Sequence, residues 1–122
     1  MIMKDKDDLS IFIDALKKRE EILLKNQSMR KYNKYFDIKR KYAHSLIEQN
    51  RQDELLPYLE SDSISIRFDT AGVLFNSYPD KCKEVLREIA EMTVASGLPE
   101  QFVILAVTAC DNLKYGIPKD FP

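Results

Sequence analysis

Apolar side chains recur every three or four residues along almost the whole chain, the spacing of one buried helix face. Leu9, Phe12, Ile13, Leu16, Leu23 and Leu24 make one such stripe and predict a helix from about Asp7 to Lys25. Asn26-Gln27-Ser28 is a break, with Ser28 able to cap the next helix. Tyr32, Tyr35, Phe36, Ala43, Leu46 and Ile47 define that second long helix, which ends near Asn50. Residues 7–50 are therefore expected to form an antiparallel helical hairpin. A short third helix covers Asp53 to Glu60, with Pro57 in its first turns or at a kink, because proline cannot donate to a helix interior. Asp62, Ser63 or Ser65 can cap a fourth helix, which carries Ile66, Ala71, Leu74 and Phe75 and stops at Pro79. The same proline opens a fifth, in which Cys82, Val85, Leu86, Ile89 and Ala90 face inward, ended by Gly97. A sixth runs from Pro99 through Phe102, Leu105, Ala106 and Ala109 to a stop at Gly116 and Pro118, leaving a tail at 117–122. No segment alternates with period two. The expected class is all-α, about six helices in one domain.

The second half repeats weakly against itself. Leu55-Leu56 and Leu59 recur as Val85-Leu86 and Ile89, while Ala71 and Leu74 are echoed by Ala106 and Ala109. Two-helix units of this size build HEAT-like solenoids, each pair burying its apolar face on the next. An ordinary helical bundle with chance spacing is the competing reading. In the segment from Asp62 to Leu74, an acidic residue, the pair Ile66-Arg67, Ala71 and Leu74 fit the HEAT pattern. With Tyr32-Asn33, Leu55-Leu56-Pro57, Tyr78-Pro79 and Val85-Leu86, the chain resembles the DUF2019 family of small bacterial proteins over about residues 9–115. It departs at Phe68 and Thr70, where Trp and Ala are more usual, and in the longer connection at Gly97. That resemblance implies a HEAT-like α-α superhelix with its repeats at 53–115 and no assigned general function. Some HEAT-like proteins near the family sit in toxin–immunity loci, so it also points to an immunity or accessory role. In such stacks an arginine at the place of Arg67 ties adjacent repeats together, with Asp62 or a carboxylate on a neighbouring helix as its partner.

Composition narrows the functional classes. A chain of 122 residues is one domain by length, and its 44% hydrophobic and 32% charged content suits a folded chain. The formal net charge of −1 gives no global field toward nucleic acid or membrane. The start lacks the apolar core of a signal peptide, and no stretch reaches the length of a membrane span, so a cytoplasmic protein is expected. Cys82 and Cys110 are too few and too far apart for a disulfide framework or a metal cluster, and are expected to be buried free thiols.

Candidate chemistry is thin. His44 has Arg40 and Glu48 one turn away, but no nucleophile motif accompanies it, and a structural histidine is the simpler reading. Phosphate loops, HExxH, GxSxG and CxxC are all lacking from the sequence. No catalytic, cofactor-binding or metal-ligating residue is assigned, and the expectation is a protein that is not an enzyme.

Charge, in contrast, is unevenly spread. Between Lys17 and Tyr42 ten Lys and Arg face three Asp and Glu, whereas residues 43–122 hold seven against thirteen. The first segment interleaves aromatics with Arg30, Lys31 and Lys34, a composition used by surfaces for single-stranded nucleic acid. Helical spacing puts Tyr32 and Phe36 on the inner stripe, which weakens that alternative. The leading expectation is a protein-interaction module that offers its acidic second half, with Asp69, Glu88 and Glu91 as candidate contacts, to a basic partner such as a nuclease toxin. The apolar last helix has little after it to cover one side. Either the first hairpin caps it or the chain dimerises through that end.

Overall fold

In the computed structural model, which describes residues 7–116, every regular element is helical. Five α-helices succeed one another: α1 Asp8–Leu24, α2 Met29–Glu48, α3 Ile64–Leu74, α4 Pro79–Ala90 and α5 Val103–Tyr115. A 3-10 segment, Gln52–Glu60, joins α2 to α3, and two single 3-10 turns, Val94–Ser96 and Glu100–Phe102, join α4 to α5. With the long 3-10 segment counted, these are the six helices expected. The expected tail at 117–122 lies outside the described residues, as do residues 1–6.

Local chemistry sets the boundaries. Asp7 caps α1 through the Leu9 amide, Ser28 caps α2 through the Arg30 amide at 3.1 Å, and Ser63 caps α3 through the Ile66 amide at 3.1 Å. α1 and α2 end alike. Asn26 (φ 52°) and Asn50 (φ 60°) take the left-handed conformation, and the next amide reaches back five residues, Gln27 to Ile22 and Arg51 to Leu46. This Schellman ending satisfies carbonyls that the last turn leaves open, and asparagine tolerates the left-handed region better than most residues.

Two boundaries differ from expectation. Gln52–Glu60 is a 3-10 segment rather than an α-helix, with Pro57 inside it. Proline removes a donor there and crowds the preceding turn, so the tighter winding replaces the expected kink. The fifth helix stops at Ala90, well before Gly97, because Thr93 and Ser96 form a reciprocal capping box that starts a new turn.

α1 packs along α2 as the expected hairpin, the 3-10 segment packs on α3, and α4 packs on α5. α3 touches α1, α4 and α5, so it forms the centre of the molecule. Its residues Ser65, Ile66 and Asp69 through Leu74 are buried. Phe12, Leu16, Leu46, Leu55, Leu74, Leu86 and Ile89 close the core around it, each contributing roughly 1.5–3 kcal/mol of transfer free energy. Small residues explain the close approach: Ala71 and Gly72 on α3, and Ala106 and Ala109 on α5, are all buried. Leu24, placed on the inner stripe by spacing, is 41% exposed, since α1 ends there and its neighbour Leu23 turns in instead. α1 also meets the Glu100–Phe102 turn, where Gln101 donates to the Leu24 carbonyl at 3.2 Å. The hairpin does not cover α5, whose Val103, Ile104 and Val107 remain exposed.

Candidate functional site

Three charged residues sit on faces that the apolar stripes would reserve for hydrocarbon. Arg19 continues the α1 stripe after Leu16, Lys39 lies between Phe36 and Ala43 on α2, and Asp69 comes one turn after Ile66 on α3. Packing brings all three together and leaves them 6%, 1% and 3% exposed. Arg19 Nη1 donates to Asp69 Oδ1 at 2.6 Å, and Lys39 Nζ lies 3.7 Å from the same oxygen. Burying charges is expensive unless they are paired, and here the carboxylate supplies the compensating charge.

Aromatic faces complete the surroundings. The Arg19 guanidinium stands 4.2 Å from the centroid of Tyr32 and 5.4 Å from that of Phe36, while Lys39 Nζ lies 4.5 Å from Phe36. Such contacts strengthen when water is excluded. Burial pushes the Tyr32 hydroxyl up to about 12, reinforced by Asp69 and opposed by Arg19. Burial likewise pushes Lys39 down to about 8, with Asp69 pulling the other way.

A mainly apolar pocket of about 260 Å³ opens beside this cluster, lined by Arg19, Tyr32, Lys39 and Asp69, by Leu23, Met29, Phe68, Ile104 and Leu105, and by the polar Thr108 and Asn112 of α5. Arg19 Nε and Asp69 Oδ2 are buried with no hydrogen-bond partner among the described residues. Orphaned buried polar atoms are uncommon and demand a cause.

The sequence-predicted residues are distributed differently. Asp69, expected as a surface contact, is buried in the cluster just described, because α3 is central and its middle turn faces α1 and α2. The expected tie between Arg67 and Asp62 does not form. Arg67 is half-buried, its Nε without a hydrogen-bond partner among the described residues, and Asp62 is exposed at the start of α3. The interhelix arginine role falls to Arg19 instead. His44 is exposed on α2. Cys82 is buried as expected, its thiol pushed up to about 11 by burial, but Cys110 is exposed on α5.

Glu88 lines a groove of about 570 Å³ between the 3-10 segment and α4, with Glu60 and Glu84 along its rim against the single cation Lys81. Its floor is Leu56, Pro57, Leu59 and Val85. Glu91 is exposed at the end of α4, outside that groove. Arg30, Lys31 and Lys34 are exposed on α2; Lys31 and Lys34 border a shallow groove with Lys18 and Tyr35. Among the described residues no helix is long and apolar enough to cross a membrane, and no cluster of three or more His, Cys, Asp or Glu is placed to hold a metal ion.

No family model matches the chain, and no curated protein or solved structure matches it either.

Proposed function

We propose that the protein is a non-enzymatic interaction module that holds a basic segment of a partner protein in the groove between the 3-10 segment Gln52–Glu60 and α4. The observation that carries this reading is the groove itself. Glu60, Glu84 and Glu88 stand over an apolar floor with only Lys81 opposing them. A basic side chain laid there buries its hydrocarbon stem on Leu56, Pro57 and Val85 while its charge meets a carboxylate. The succession of helical hairpins suits a HEAT-like scaffold, which presents such grooves between neighbouring pairs. A nuclease toxin is one class of basic partner, and the chain would then act as its immunity or accessory protein.

The test is recovery from the native host. A stoichiometric basic partner should co-purify, dissociate more readily as salt rises, and be lost on the double substitution Glu84→Lys, Glu88→Lys without a change in thermal unfolding. Recovery of the chain alone at native expression, or capture indifferent to the charge reversal, would count against the groove.

Nucleic-acid binding by the 17–42 segment is the competing reading, supported by Lys18, Lys31, Lys34 and Tyr35 around one shallow groove. It is weakened because Tyr32 and Phe36, the rings it would need for stacking, are engaged with Arg19. A salt-sensitive shift of single-stranded DNA or RNA, abolished when Arg30, Lys31 and Lys34 become Glu, would displace the protein-binding reading.

A further inference from the structure

The pocket between α1, α2, α3 and α5 has no part in that proposal. Leu105 and Thr108 of α5 line it, whereas Val103 and Val107 of the same helix line a separate groove. Its walls are mainly hydrocarbon and aromatic, and the buried Arg19–Lys39–Asp69 cluster stands beside it. Sites for small molecules are built this way, largely apolar with a few polar or charged groups that select the occupant. The volume of about 260 Å³ limits any occupant to a small one.

The charge of the cluster sets the sign of that occupant. Arg19 and Lys39 share the carboxylate of Asp69, with Arg19 Nη1 at 2.6 Å and Lys39 Nζ at 3.7 Å from the same Oδ1. Lys39, with its value at about 8, still carries its proton for the most part at neutral pH. Two buried cations against one buried carboxylate leave the cluster net positive. Arg40, next to Lys39 on α2, acts on it with the same sign as Arg19. Asp69 sets little against this on the pocket side, because Oδ1 is already taken and Oδ2 is enclosed. Of the Arg19 nitrogens, Nη1 is given to Asp69 and Nε is enclosed, which leaves Nη2 for a further acceptor. Charge shielded from water acts over several ångströms with far less screening than charge at the surface. An anion in the pocket is therefore drawn to the cluster without touching each member of it, and a cation is repelled.

We infer that the pocket binds a small apolar carboxylate, its ring or hydrocarbon between Phe68, Ile104 and Leu105 and its charge toward Arg19 and Lys39. Such a ligand supplies the second negative charge that turns two cations and one anion into a neutral set, and buried charges are tolerated when so paired. Inorganic phosphate brings charge but no hydrocarbon to cover these walls. A neutral isostere covers the walls without the charge, and an amine brings the wrong sign.

Benzoate, its neutral isostere benzamide, and benzylamine, titrated separately into the isotope-labelled full chain at neutral pH and low salt and followed by NMR, test this. Benzoate should give saturable shifts at Phe68, Ile104 and Leu105, with a Kd on the order of 1 mM as befits a fragment. Benzamide should bind roughly tenfold more weakly, and benzylamine more weakly still. Ile104 lines the pocket and is 56% exposed, so Ile104→Trp should fill the site and abolish the shifts while the chain stays folded. Lys39→Met removes the excess charge and leaves the neutral Arg19–Asp69 pair, so it should weaken benzoate roughly tenfold and leave benzamide unchanged. If that variant fails to fold, the ligand comparison and the Ile104 variant still decide. The proposal is overturned by an absence of saturable shifts, by benzamide binding as tightly as benzoate, or by benzoate shifts confined to the surface around Lys18, Lys31 and Lys34. Benzoate binding unchanged in Ile104→Trp, or in a folded Lys39→Met, overturns it equally.

Discussion

Arg19 and Asp69, fifty residues apart in the chain, meet at 2.6 Å in the interior and pin the first hairpin to the central helix. Both side chains lie in the core, and Lys39 approaches the same carboxylate oxygen at 3.7 Å. Asp69→Ala therefore leaves two cations facing each other without their carboxylate. Breaking a buried pair from one side costs about 3–5 kcal/mol, a large part of the stability of a domain this size. Urea denaturation of Asp69→Ala and of the triple variant Arg19→Met, Lys39→Met, Asp69→Leu measures it. The single variant should lose that amount, and the triple variant, with no charge left in the cluster, should regain most of it. A single variant within about 1 kcal/mol of the parent chain would show that the cluster is not held by its charges.

The same residues mark how far the fold is legible in the sequence. Periodicity locates the helices because most core positions are apolar, and the caps Ser28 and Ser63 stand at the two breaks where spacing lapses. It also places Pro79 at the start of α4. What it passes over is charge on the buried stripe. Arg19, Lys39 and Asp69 each fall at helical spacing from apolar neighbours, a signal visible in the sequence but indistinguishable there from solvated charge. Their mutual contact depends on long-range packing, which no local pattern encodes. The repeat motif singles out Arg67, yet Asp69, two residues on, points to the other side of the same helix and makes the pair. The groove at Glu88 is legible only as an acidic balance, since its floor joins Leu56 and Val85 from separate elements.

Lys39 gives the fold a predictable response to alkali. Burial lowers its folded-state value to about 8, below the ordinary lysine value of 10.5 that it regains on unfolding. Between these values the unfolded chain binds the proton more tightly, so stability contributed by this group rises with pH from about 8. Tyr32 acts in the opposite sense, because its folded value of about 12 exceeds the unfolded 10 and stability falls above that pH. The stability of the parent chain, after subtraction of Lys39→Met, should therefore climb between pH 8 and 10. Equilibrium urea midpoints across that range check it, and a flat difference would mean that Lys39 is not held charged at a cost.

The cysteines should separate cleanly by reactivity. Cys82 is fully buried and its thiol is pushed up to about 11 by burial, so little thiolate forms at neutral pH and reagents cannot reach it. Cys110 is exposed on α5, with only a long contact of 3.8 Å to the Ala90 carbonyl. Treatment of the native chain with a disulfide reagent should label Cys110 alone, as read by mass spectrometry of its peptides. Cys82 should react only after denaturant is added. Rapid labelling of Cys82 in the native chain would show that α4 opens readily from the core.

Gly97 should report backbone strain alone. It has φ of +107° where the Val94–Ser96 turn ends, and a Cβ built there meets nothing within 4 Å. The Leu98 amide then reaches back to the Thr93 carbonyl at 3.0 Å, closing the turn and delivering the buried Leu98 side chain to the core. Gly97→Ala meets no steric neighbour, so its whole cost is the left-handed backbone, about 1–2 kcal/mol for a residue bearing Cβ. Gly97→Asn should cost less, as Asn26 and Asn50 already occupy left-handed positions at the ends of α1 and α2. Thermal or urea unfolding of the two variants should rank them parent, Asn, Ala in falling stability. An alanine variant as stable as the parent would mean that the Thr93–Leu98 turn can relax to negative φ without releasing Leu98 from the core.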